Sequence, residues 1–164
     1  MEEFFGENAD RYRYMHLVDS FNFLPYGTIV DAFQHEVYAN PDLTPAERNA
    51  VWKKLEETFR PYLSTDGIPY ICEGTRWQYQ QHIFESPFYY IDYCLAQTAA
   101  LQFLFAMQDN YQDAFKRYCN LAKQGGTKPF SELLEEAGLN SPFKEGALSK
   151  LAERVAALEA KLEL

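Results

Sequence analysis

Apolar positions recur at helical spacing along most of this chain and two-residue alternation is scarce, so the pattern predicts an all-α fold. The opening segment reads as a long helix from about Ala9 to Ala39. It should bend or break near Pro25-Tyr-Gly27, because proline removes a backbone donor and crowds the preceding turn, and it should stop at Asn40-Pro41. Thr44-Pro-Ala-Glu47 has the form of a capping box, with Thr44 as cap, Pro45 at the first helical position and Glu47 reaching back; it opens a second helix to about Phe59. Arg60 to Gly74 holds Pro61, Gly67, Pro69 and Gly74, which reads as a long loop with a short extended piece near Ile68 to Cys72. A glycine just before Thr75-Arg-Trp77 would let such a loop move.

Ser86-Pro87 reads as the start of a central helix, with Ser as side-chain cap and Pro where its missing N–H costs nothing. The run from Phe88 to Met107 raises the question of a membrane span. Asp92, Gln97 and Gln102 interrupt it, and a charge within a span costs several kcal/mol, so a helix buried in a soluble protein is expected. Asn110 to Gln124 is amphipathic through Tyr111, Ala114, Phe115, Tyr118, Leu121 and Ala122, and Gly125-Gly126 closes it. Lys128-Pro129 opens a short helix, Phe130 to Ala137, capped by Gly138. The last helix, about Lys144 to Leu164, carries Leu148, Leu151, Val155, Leu158 and Leu162 as a seam too short for a coiled coil, so it should pack on the body. Glu153, Arg154, Glu159 and Lys161 on its other faces read as solvated charge. Short joints imply antiparallel neighbours, and residues 1–164 are expected to form one bundle-like helical domain with a long loop before the central helix.

Hydrophobic content of 47%, with 16% aromatic, is enough for a core in a chain of 164 residues. A net charge of −9 argues against nucleic acid and against an anionic membrane, since both need clustered Lys and Arg. Cys72, Cys94 and Cys119 are odd in number and far apart, which fits reduced thiols; Met1 is followed by acids and no leader is visible, so the expected location is cytoplasmic. The histidines His16, His35 and His82 contain no pair at zinc-site spacing, and the His35-Glu36 pair is followed by Ala39 where a second ligand would have to stand, so no metal site is expected.

The stretch that carries candidate chemistry is His82-Ile-Phe-Glu-Ser-Pro-Phe-Tyr-Tyr-Ile-Asp-Tyr93. On a helix begun at Ser86-Pro87, Tyr90 and Tyr93 stand three apart and Tyr89 and Tyr93 four apart, so their hydroxyls project the same way and can address a ligand oxygen. Amphipathic packing uses the same spacing, with rings inside and hydroxyls on water. Lys128 beside the glycine pair is open to two readings, a helix-start residue or a contact for a substrate carboxylate.

Phe33-Gln-His-Glu-Val-Tyr-Ala-Asn-Pro41, Glu73-Gly-Thr-Arg-Trp-Gln78, His82 to Tyr93, Gly125-Gly-Thr-Lys-Pro-Phe130 and Ser141-Pro-Phe143, in that order, resemble the oligoendopeptidase F branch of the zinc-dependent thimet-type oligopeptidases. The resemblance implies a helical peptidase in which two His of an HExxH helix and a downstream Glu hold zinc, the motif Glu drives water at the peptide carbonyl, and hydroxyls meet the oxyanion. It assigns the hydroxyls to Tyr90 and Tyr93, with Tyr89 as the alternative if the register slips by one, and gives His82 a substrate-binding role. An HExxH motif is absent, and Met1-Glu-Glu-Phe-Phe-Gly-Glu7 resembles the family just beyond its third zinc ligand. The expectation is therefore a C-terminal peptidase part that binds substrate and stabilises the transition state, inactive alone, with zinc supplied by the full-length enzyme and none in this chain. Its partners would be the missing N-terminal zinc-binding part, short peptides, and further copies of itself through exposed aromatic surface such as Phe21, Phe23 and Tyr26. The alternative is a stand-alone helical interaction module that kept the fold without catalysis.

Overall fold

A computed structural model describes residues 1–162, apart from the side chains of Glu159, Lys161 and Leu162. In chain order its helices are α1 (Glu2–Phe5), α2 (Ala9–Ala39), α3 (Pro45–Phe59), α4 (Gln81–Glu85), α5 (Ile91–Asp109), α6 (Tyr111–Gln124), α7 (Phe130–Glu136) and α8 (Ser149–Leu162). Tight 3-10 turns occupy Gly6–Asn8, Ile71–Glu73 and Arg76–Tyr79, and no strand occurs among the described residues, as the all-α pattern predicts. None of the described helices is long and apolar enough to cross a membrane. The chain packs as two compact units, Asn22–Cys94 and the paired segments Met1–Phe21 and Leu95–Leu164.

In the unit Asn22–Cys94, the expected break at Pro25 does not occur, for α2 runs unbroken through it. A proline inside a helix costs about 3 kcal/mol. Ile29, Val30 and Phe33, all fully buried just downstream, each return roughly 1.5–3 kcal/mol of apolar burial, which is enough to carry the helix through the defect. Phe33 meets the Trp52 ring edge-on at 5.4 Å and the Trp77 ring at 5.3 Å, and Ile83 of α4 completes the cluster. The start of α3 follows the predicted box: the Thr44 backbone N–H donates to Glu47 Oε2 at 2.8 Å, and the Glu47 backbone N–H faces Thr44 Oγ1 at 3.4 Å.

The extended piece expected near Ile68 to Cys72 is instead wound into turns, with the backbone N–H of Cys72 donating to the Ile68 carbonyl at 3.1 Å and that of Gly74 to the Ile71 carbonyl at 3.0 Å. The local winding satisfies donors that a lone strand without a neighbour would leave open. Asn49 on α3 then fastens the loop from two directions. Its Oδ1 accepts from Trp77 Nε1 at 2.8 Å, and its carbonyl oxygen lies where a Cβ on Gly74 would come within 2.2 Å. Gly74 has φ +77, so this glycine serves close approach and a left-handed turn.

In the other unit, Ala99 and Phe103 of α5 pack with Leu134, Ala137 and Leu139. Gln102, one of the polar residues that interrupt the central run, clasps Asn140 in both directions: its Nε2 donates to the Asn140 carbonyl at 3.0 Å and its Oε1 accepts from the Asn140 backbone N–H at 2.8 Å. Arg117 Nη1 donates to the Ala137 carbonyl at 2.8 Å, a cation at the negative end of α7. The last helix begins at Ser149, not Lys144, because turns through Gly146 at φ +71 precede it. Leu151 and Val155 are buried as predicted, whereas Leu148 lies ahead of the helix and is exposed. Arg154, read as solvated, is exposed and also makes a two-pronged pair with Asp109 at 2.7 and 2.8 Å and covers the Phe105 ring at 4.7 Å. The expectations for Leu162, Glu159 and Lys161 fall outside the described side chains.

Phe21, Phe23 and Tyr26 are each half-buried, so the exposed aromatic face expected of them is not found there. Tyr26 packs on the Trp52 cluster, and large exposed rings occur instead at Phe4, Tyr70, Tyr79 and Phe143.

Gly74→Ala should lower stability by about 2–4 kcal/mol, since backbone strain and a backbone clash coincide. Gly126→Ala should be neutral or slightly stabilising, because no atom lies within 4 Å of the place its methyl group would take and its φ is ordinary. Denaturant midpoints of the two variants check both.

Candidate functional site

Ser86 does not start the central helix. It ends α4, and α5 begins only at Ile91. Between them Phe88 takes φ +59, a left-handed backbone that no right-handed helix can contain. For a residue with a side chain this conformation costs on the order of 1–2 kcal/mol, and it is held from three sides. The Phe88 ring lies 4.9 Å from that of His35 and 5.1 Å from that of Tyr38. Its backbone N–H donates to Gln34 Oε1 at 2.8 Å, while Gln34 Nε2 donates to the Val30 carbonyl at 3.1 Å. Gln34 is fully buried, and both ends of its amide are engaged.

Tyr89 and Tyr90 therefore sit on a turn and Tyr93 in the first turn of α5, so the helical spacing that singled them out is not the geometry that joins them. They are joined nonetheless. The Tyr93 ring lies edge-on to Tyr89 at 5.3 Å and to Tyr90 at 5.4 Å. His82, half-buried on α4, lies 5.0 Å from Tyr90, 5.7 Å from Tyr93 and 6.3 Å from Tyr89, ring centre to ring centre. All four predicted residues thus share one aromatic cluster, in which Tyr89 and Tyr93 are exposed and Tyr90 is the inner member.

Tyr90 packs against Tyr26 at 6.0 Å and Phe23 at 5.9 Å. Gly27 makes room for it. A Cβ on Gly27 would fall 2.1 Å from Cys94 Sγ and 3.5 Å from the Tyr90 ring, so the helix accepts a glycine, at about 1 kcal/mol, where α2 and the start of α5 touch. Burial, followed by the neighbouring Tyr26, Cys94 and Tyr93, pushes the Tyr90 phenol up to about 12. Hydrogen bonding to Tyr89, followed by burial, raises Tyr93. Both phenols keep their protons at neutral pH and are suited to donate, not to act as bases.

Sequence reasoning missed Gln34, Gly27, Tyr26 and Gln80 as members of this site. Gln80 Nε2 lies 2.8 Å from His82 Nδ1, and its Oε1 accepts from the Tyr26 hydroxyl at 2.8 Å. A polar residue two positions before a candidate histidine was the available signal for Gln80; Gln34 and Gly27 are recognisable only once α2 is set against the turn. Elsewhere, Lys128 pairs with Glu136, which favours its structural reading. The histidines are apart in use as in sequence: His16 stacks on Tyr12 at 5.9 Å and His35 faces Asp31 at 3.3 Å. Among the described residues no group of three or more His, Cys, Asp or Glu is arranged to hold a metal ion, so the zinc implied by the resemblance does not fit this chain's own residues.

This all-helical frame is shared with metallopeptidases. The chain belongs to Peptidase family M3, whose pattern matches residues 7–153. Among solved structures it is similar to a protein assigned as an oligoendopeptidase F, with 45% identity and a TM-score of 0.93 over 99% of this chain and 29% of that one. It is equally similar to PZ peptidase A, solved with an inhibitor, with 44% identity and a TM-score of 0.93 over 99% of this chain and 29% of that one. A protein from Bacillus anthracis, also assigned as an oligoendopeptidase F, follows with 41% identity and a TM-score of 0.80 over 99% and 26%. The chain thus spans between 26% and 29% of the length of these structures. No curated protein matches it.

Gln34→Leu should cost about 1–3 kcal/mol, because the Phe88 N–H loses its acceptor, and should loosen the turn that carries Tyr89 and Tyr90. Hydrogen exchange at Phe88 checks it. A second expectation concerns pH. Folding holds the protons of Cys94 and Tyr90 up to about 11 and about 12, above their ordinary values, so their contribution is full below about pH 8 and is lost as pH rises through that range. Denaturant midpoints should fall between about pH 9 and 12, and fall less steeply in Cys94→Ala.

Proposed function

We propose that this chain is the part of a family M3 peptidase that receives a short peptide and donates hydrogen bonds to the oxyanion formed at its scissile carbonyl. Tyr90 and Tyr93 are the donors in this reading, Tyr89 is the alternative to either, and His82 contacts the substrate. The observation that carries it is the convergence of one imidazole and three phenols within 6.3 Å on a turn held by a buried glutamine. Amphipathic packing alone would bury the rings and leave the hydroxyls to water; here Tyr90 lies inside while Tyr89 and Tyr93 keep an exposed face for a ligand.

Zinc, the cofactor of the family enzyme, belongs to a part of that enzyme outside these residues, and the chain by itself is inactive. That zinc-bearing part and short peptides are its partners; nucleic acid and membranes are not. Each unit keeps exposed rings, Phe4 and Phe143 in one and Tyr70 and Tyr79 in the other, and association of copies through such rings is the expected consequence. A cytoplasmic setting is supported by three free cysteines.

In a zinc-loaded enzyme of the relatives' length that carries these residues, Tyr90→Phe or Tyr93→Phe should lower kcat on the order of 10²-fold to 10³-fold for the more important hydroxyl, with a smaller change in KM. His82→Ala should lower kcat/KM with zinc content unchanged. Loss in Tyr89→Phe with the other two near normal moves the role to Tyr89. Silence of all three makes the cluster a packing feature and overturns the proposal.

A further inference from the structure

We propose that Gln80 is a positioning residue which, oriented by Tyr26, selects for the neutral imidazole of His82 the tautomer that carries its proton on Nε2. The inference deepens the proposed function and rests on its reading of His82 as the imidazole that meets the substrate. That reading needs one thing of the ring which sequence does not provide, a defined place for its proton. A neutral imidazole has one nitrogen that donates and one that accepts, and the partner of one decides the role of the other.

The Gln80 amide lies between two groups that it treats oppositely. Its Oε1 is 2.8 Å from the Tyr26 hydroxyl, and its Nε2 is 2.8 Å from His82 Nδ1. Turned over, the same amide would offer N–H to Tyr26 and a carbonyl to His82, which would require Nδ1 to carry the proton. The surroundings of Tyr26 decide between the two. The guanidinium carbons of Arg76 and Arg60 lie 5.2 and 5.8 Å from its ring centre. Both cations lie over the ring face and a guanidinium offers no acceptor, so of these neighbours the Gln80 carbonyl is the one that can take the Tyr26 proton. With Oε1 committed to Tyr26, the amide N–H points at Nδ1, which must accept. The His82 proton is then on Nε2, and His82 is a hydrogen-bond donor at its free nitrogen, as the three phenols are at their hydroxyls.

The arrangement is also stiff. Tyr26 is anchored by the Trp52 ring at 6.3 Å and by Tyr90 at 6.0 Å, so the orienting hydroxyl is part of the same packed cluster that holds the phenols. Gln80 itself caps α4, one residue before the helix that carries His82. Neither feature was needed to satisfy His82, which on a half-exposed helix can turn to water.

The test reads the ring nitrogens of the 164-residue chain directly, by long-range proton–nitrogen correlation at about pH 9, above the ordinary histidine range. His82 is assigned by the signal that disappears in His82→Ala. Wild type should show the Nε2–H pattern. Gln80→Glu places a group that can only accept against Nδ1, and should reverse the pattern to Nδ1–H. Tyr26→Phe frees the amide to turn over and should give a mixture, which keeps the idea testable if Gln80→Glu does not fold; circular dichroism shows whether each variant is folded. A solvated imidazole already leans to Nε2–H, so the reversal and the mixture are the informative results. An Nδ1–H pattern in wild type, or folded variants that keep the wild-type pattern, would overturn the proposal. Because the signal needs no turnover, the two readings fail separately: reversal in the chain with intact hydrolysis by the His82→Ala variant of the zinc-loaded enzyme leaves the positioning role standing and removes the function, whereas no reversal with lost hydrolysis removes the positioning role alone.

Discussion

The hydrogen bond from the Phe88 backbone to the buried side chain of Gln34 is the constraint on which the site depends. It holds a left-handed residue between α4 and α5, and that residue delays the central helix to Ile91. Were the helix to start at Ser86, Tyr89 and Tyr90 would be fixed a 100° step apart around its axis, on either side of Tyr93 along one helical face. The turn removes that restriction, and His82 and the three phenols come within ring contact of each other. A buried amide does this well because it satisfies a donor and an acceptor of two different segments at once, which an apolar residue of the same shape cannot.

Close approach is the second requirement, and glycine provides it at two points of the same unit. At Gly27 the missing side chain admits the Cys94 thiol and the Tyr90 ring against α2; at Gly74 it admits the carbonyl of Asn49. Each glycine carries a conformational cost, about 1 kcal/mol in a helix, that is offset by what comes to lie against it. The aromatic excess in composition is spent in this region: Phe33, Trp52 and Trp77 form the floor, Tyr26 links floor to cluster, and Tyr90 is the innermost phenol.

What sequence made legible was whatever is local. The box at Thr44 and Glu47 and the stop at Gly125 each depend on residues within one turn of each other, and the helices they bound fall where the pattern puts them. Motif order identified the family and the four candidate residues without any geometry. The errors share a cause as well. Pro25 reads as a break because the burial of Ile29, Val30 and Phe33 is a tertiary effect, and Ser86-Pro87 reads as a helix start because Gln34 is 54 residues from Phe88. The aromatics expected on an exposed face failed for the same reason, since exposure of Tyr26 is settled by Trp52 and Gln80.

The donor chemistry of the phenols then follows from their neutrality. Arg76 and Arg60 stand by Tyr26, one residue removed from the phenols, and raise no charge among Tyr89, Tyr90 and Tyr93 themselves. A cation in their place would attract any carboxylate or carbonyl and would bind the ground state of a peptide as readily as the species along the reaction. Neutral O–H and N–H donors discriminate better: they gain little from a neutral carbonyl that water already satisfies, and more from an oxygen that has acquired charge, where hydrogen bonds are about twice as strong. Burial contributes to this by keeping Tyr90 protonated well past neutral pH. On the proposed reading, the same packing that stabilises the unit thus keeps its phenols in the only protonation state in which they can donate.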